Sequence, residues 1–131
     1  MSMFKFKTVS MITAVVALVL CVILLSVPEV IFELFNVDDN SLAFFFGRRA
    51  AMLFLGISVL TWVGRNASHS ESRQAICLGL ATSMLALAIL GFFEYLRGFA
   101  GVGILLAVIT EVCLFVMYFK IWLSNKIVSK V

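Results

Sequence analysis

Four apolar runs, each about as long as a bilayer's hydrocarbon core is thick, leave this chain few folds to choose from. Thr8 to Val27, "TVSMITAVVALVLCVILLSV", contains no charge, and Ser41 to Gly64 is interrupted only by Arg48 and Arg49. Gln74 to Phe93 lies between Arg73 and Glu94, and Phe99 to Phe119 contains Glu111. About 20 residues at ~1.5 Å rise per residue cover the roughly 30 Å of hydrocarbon. Backbone in lipid must satisfy its own hydrogen bonds, so all four runs predict α-helices. The surplus of apolar residues agrees: 63% hydrophobic and 13% charged, against about 45–50% and about 25% in soluble domains. With one proline and no Gly/Ser linker, residues 1–131 read as a single integral membrane domain. The expected fold is all-α, a four-transmembrane-helix bundle with spans near 8–27, 41–64, 74–93 and 99–119. The apolar stretch of the first span exceeds a signal-peptide core and lacks a small-x-small site, so it is expected to be a retained helix.

Lys and Arg set the expected orientation. With the N-terminus inside, Lys5, Lys7, Arg65, Arg73, Lys120, Lys126 and Lys130 are cytoplasmic, and only Arg48, Arg49 and Arg97 face the other way. That bias predicts a multi-pass protein of a cell membrane with both termini cytoplasmic. The outer connection "SVPEVIFELFNVDDNS" then carries a short helix. Ser26-x-x-Glu29 has the form of a capping box and Pro28 suits a first turn. Val30, Ile31, Leu34 and Phe35 fall on one face, so this segment reads as an amphipathic helix lying on the outer surface, with a bent extension of the first span as the alternative. Asp38, Asp39, Asn40 and Ser41 supply caps for the second span. Ser68-x-x-Glu71 offers one for the third.

The polar residues inside the spans are the candidate sites. Arg48 lies roughly 9 Å below the start of the second span. A charge at the bilayer centre costs at least ~2.5–3.5 kcal/mol, so Arg48 and Arg49 either snorkel to headgroups or pair with an acid from another helix. Glu94 is the expected partner, with a plain interfacial glutamate as the alternative. It continues a small-residue stripe of Ala75, Gly79, Thr82, Ser83 and Ala86, whose four-residue spacing allows close packing in lipid. Glu111 sits near the midplane, on a face with Gly103 and Ala107, and is expected to be buried between helices. An intramembrane carboxylate is a functional candidate, with structural hydrogen bonding as the alternative.

Other chemistry finds little support. The one histidine, His69, is in a loop, and Cys21, Cys77 and Cys113 lie in three spans with no CxxC motif. No cofactor or metal is expected, and no catalytic motif is present. "VITEVCL" around Glu111 resembles the membrane carboxylate of small multidrug resistance transporters, although that family carries its acid in the first helix. "GRRAAMLFLG" opening the second span and "RGFAGVG" before the fourth resemble the small bacterial DoxX-like membrane proteins, which implies a four-helix bundle in a bacterial inner membrane and no particular activity. Three function classes follow. An interaction or assembly subunit, as a homo-oligomer or with other membrane subunits, explains the size and the packing stripes. A transporter or ligand-binding bundle explains Glu111, and a lipid-modifying enzyme with dispersed polar residues is the third. The expected partners are the lipid bilayer and membrane proteins, not nucleic acid.

Overall fold

The computed structural model describes the backbone of residues 2–128 and the side chains of residues 6–124. Lys130 lies outside the described residues, as do the side chains of Lys5 and Lys126. The described chain is all-helical, with α1 over Ser2–Ser26, α2 over Pro28–Phe35, α3 over Ser41–Gly64, α4 over Glu71–Leu96 and α5 over Ile104–Val128. Four of these helices are long and apolar enough to cross a membrane, and α2 is the short helix between the first two. Large apolar side chains stand open on the bundle, Leu53 and Val63 each 73% exposed. Water would penalise that surface, whereas lipid solvates it.

Local chemistry explains where the helices stop. Val27 precedes Pro28, whose ring disfavours helical backbone in the residue before it. Val27 accordingly sits at φ −140°, ψ 63°, and α1 ends one residue earlier. The expected Ser26 cap is therefore unused: Val27 is the cap position and makes no side-chain hydrogen bond. Asn36 ends α2 in the left-handed conformation at φ 51°, which asparagine tolerates. Asn40 caps α3, its Oδ1 accepting from the Ala43 N–H at 2.9 Å. Ser70, not Ser68, caps α4 by accepting from the Arg73 N–H at 3.2 Å.

α1 packs along α3 on one side and α5 on the other, and α4 packs along α5. Near the end that carries the termini, Phe6 and Val9 of α1 meet Cys77, Leu80 and Met84 of α4 and Leu114, Tyr118 and Ile121 of α5. Near the α2 end, Cys21 and Leu24 of α1 close on Ala51 of α3. Buried hydrogen bonds tie the helices across these contacts. Ser58 Oγ of α3 donates to the Ala14 carbonyl at 2.8 Å, and Tyr118 OH of α5 donates to Thr13 Oγ1 at 2.7 Å. Thr13 passes its own proton to the Val9 carbonyl at 2.8 Å.

The last span begins at Ile104 rather than Phe99 because the preceding glycines have another task. The Gly101 N–H donates to the Phe35 carbonyl at 2.6 Å. A Cβ on Gly103 would overlap the backbone carbonyl of Leu34. The end of α2 thus rests directly on the 98–103 hairpin, backbone against backbone.

Candidate binding site

Between the two core clusters the helices leave a cavity of about 210 Å³. Val16 and Leu20 of α1, Phe54 of α3, Leu87 of α4 and Leu106 of α5 are among its walls, and Ile31, Leu34 and Phe35 of α2 close one end. The apolar face expected on α2 is therefore turned largely inward. Val30 and Leu34 are nevertheless both exposed, so only Ile31 and Phe35 of that face are half-buried. Ala107 and Glu111 lie four residues apart on α5 and both line the cavity.

Glu111 is half-buried and is the one ionisable group on that wall. The two cavity threonines are already occupied. Thr110 Oγ1 donates to the Leu106 carbonyl at 3.0 Å, and Thr13 joins Tyr118 to Val9. Among the described residues no hydrogen-bond or ion-pair partner reaches the Glu111 carboxylate. The expected burial of Glu111 between helices is met in half. Gly103, on the same face, packs against α2 instead of a neighbouring span.

Of the two alternatives open for the arginines, the pairing with Glu94 is not formed. Arg48 and Arg49 are exposed on α3, with the Arg49 guanidinium 5.8 Å from the centroid of the Phe45 ring. Glu94 does not pair with either of them. Its carboxylate lies 3.9 Å from Arg97 Nη1, three residues on in sequence. The reason is the order of packing: α3 pairs with α1 and α4 with α5, so equal depth does not bring Glu94 to the arginines.

The small-residue stripe is also displaced. Ala75, Gly79, Thr82, Ser83 and Ala86 are exposed, and nothing lies within 4 Å of where a Gly79 Cβ would stand. The packed face of α4 is instead Arg73, Cys77, Leu80, Ala81, Met84, Ala88 and Gly91. It holds small residues too, and the Gly91 site comes so close to α5 that a Cβ would stand 2.9 Å from Val108.

Sequence reasoning also missed Arg73, which reads as a loop-flanking cation and is in fact fully buried. One signal could have found it. Arg73 precedes Cys77, Leu80, Ala81 and Met84 at helical intervals, so it belongs to the face those residues bury.

No family model matches the chain, and neither the curated proteins nor the solved structures give a match.

Proposed function

We propose that the bundle binds a small apolar molecule with a cationic head, drawn from the bilayer, with Glu111 as its counter-charge. The observation that carries this reading is a carboxylate without a partner among the described residues, on the wall of a largely apolar cavity. A charge at membrane depth costs at least ~2.5–3.5 kcal/mol, and a cation about 4 Å away returns roughly 4 kcal/mol at an effective dielectric near 20. A bound amine therefore offsets part of the cost of desolvating the two charges. The volume of about 210 Å³ is below the roughly 300–1,000 Å³ of drug-sized sites and above the ~150 Å³ that holds benzene. It suits one ring or a short alkyl chain.

Phenethylamine and its neutral analogue ethylbenzene separate the charge from the shape. Titrated against the detergent-solubilised chain, the amine is expected to bind wild type and to lose about tenfold or more in affinity to Glu111→Gln, while ethylbenzene binds both alike. Equal affinity of the two proteins for the amine would sink this assignment.

A second reading, an assembly subunit or homo-oligomer, is supported by the outward stripe of Ala75, Gly79 and Ser83. In lipid such stripes let helices approach closely, where apolar burial gives little drive. For either reading the seven-to-three distribution of Lys and Arg supports both termini cytoplasmic, and the DoxX-like resemblance supports a bacterial inner membrane. On a background lacking the native cysteines, cysteine at Asp39 is expected to react with an impermeant thiol reagent in intact cells and cysteine at Ser70 is not. The opposite labelling pattern reverses the orientation.

A further inference from the structure

Arg73 is 1% exposed and occupies the first turn of α4, at the end of the bundle that carries the termini. Its guanidinium carbon lies 4.6 Å from the centroid of the Phe6 ring. Its Nη1 donates to the Ala67 carbonyl at 3.3 Å, so the side chain reaches back past the start of α4 toward the α3–α4 loop. Those contacts use one face and one corner of the group. Nε and Nη2 have no hydrogen-bond partner, and no carboxylate of the described residues lies within ion-pair distance.

The two unpartnered groups are not a random pair. Nε–H and Nη2–H are the parallel donors along one edge of a guanidinium, the edge that engages two oxygens of one oxyanion. A buried charge left this way is costly, and an anion is the chemistry that relieves it. Among the described residues the nearby acceptors do not supply one: Glu71 is exposed and outside ion-pair range, and Ser70 Oγ is taken by the Arg73 backbone N–H. The start of the 26-residue helix to which Arg73 belongs adds its own positive end and unpaired N–H groups. Aromatic neighbours place this end at headgroup level. Arg65 stacks 4.3 Å from the Trp62 ring, and the Trp122 carbonyl accepts from Gln74 Nε2 at 3.4 Å.

We propose that the Nε–Nη2 edge of Arg73 and the N-terminus of α4 form a binding site for a phosphate group, carried by a phospholipid or free in solution. The edge is closed in the ligand-free chain, so entry displaces the 65–70 loop, whose Ala67 carbonyl is the guanidinium's one hydrogen-bonded partner. This site is separate from the Glu111 cavity and does not depend on it.

The test uses the full chain, stripped of lipid in a phosphate-free maltoside detergent, and follows thermal unfolding. Dioleoylphosphatidylglycerol, dioleoylglycerol with the same acyl chains but no phosphate, and inorganic phosphate are added separately. The phospholipid is expected to raise the midpoint above that with dioleoylglycerol. Arg73→Lys keeps the charge but not the fork, and is expected to weaken the apparent affinity about tenfold or more. Stabilisation by inorganic phosphate as well identifies the free anion as a sufficient ligand, and stabilisation by the phospholipid alone identifies a headgroup site. Two outcomes overturn the proposal: no phosphate compound acts on wild type, or Arg73→Lys binds as tightly as wild type. Arg73→Gln is the stricter variant, and if it does not fold, the wild-type comparison and Arg73→Lys still decide.

Discussion

Gly103→Val is expected to lower the stability of the solubilised bundle by roughly 3 kcal/mol or more, read as a large fall in the thermal unfolding midpoint. The first atom of any side chain there overlaps the carbonyl of Leu34, which is backbone and has no rotamer to yield. Relief requires α2 to lift as a unit. That movement breaks the 2.6 Å hydrogen bond from Gly101 to Phe35 and uncovers the cavity end closed by Ile31 and Phe35. Gly79→Ala is the control. Its new methyl meets open space within a helix, so the change is expected to be neutral or to stabilise by up to about 1 kcal/mol through helix propensity. If the two glycines respond alike, the close approach of α2 to the hairpin is not what Gly103 is for.

Tyr118→Ala is expected to cost about 3–5 kcal/mol, and Tyr118→Phe only about 1 kcal/mol. The ring is fully buried among Phe6, Cys77 and their neighbours, where α1, α4 and α5 meet. Its removal leaves a cavity that three helices cannot collapse into without losing their other contacts. The hydroxyl contributes one hydrogen bond, to Thr13, and Thr13 keeps its bond to Val9 when that donor is gone. Cross-helix hydrogen bonds in membranes average about 0.6 kcal/mol, so packing outweighs polarity here. Reversible unfolding in mixed detergent micelles measures both variants. A phenylalanine as damaging as the alanine would mean the hydroxyl, not the ring, holds the seam.

The spans were legible in the sequence because lipid imposes length and polarity directly on each segment. Pro28 and Asn40 were legible for a similar reason, since their effects act within one helical turn. Which face of a span packs was much harder to read. A helix solvated by lipid is apolar all round, so the contrast that marks a buried face in water is missing. On α4 two small-residue faces competed, and the one with Gly79 and Ser83 turned outward while the one with Cys77, Ala81 and Gly91 packed. The Glu94 pairing failed on a different point. Depth along a helix follows from residue number, but the identity of the neighbouring helix does not. Arg73 was misread because a cation beside a loop ordinarily stays solvated, and only its register with Cys77 placed it inside.

The order α3–α1–α5–α4 has a consequence for assembly of the bundle itself. It divides the spans into two couples, α1 with α3 and α4 with α5, that meet chiefly where α1 touches α5. Each couple joins two consecutive spans, α1 and α3 across α2, and α4 and α5 across the 98–103 hairpin. The bundle is complete when the two couples clasp along α1 and α5. The cavity has walls from both, so it exists only in the clasped form. Any occupant is therefore a latch: at a hundred times its dissociation constant it favours closure by about 2.7 kcal/mol. Emptying the site would leave the couples freer to part along the line held by Tyr118 and Thr13.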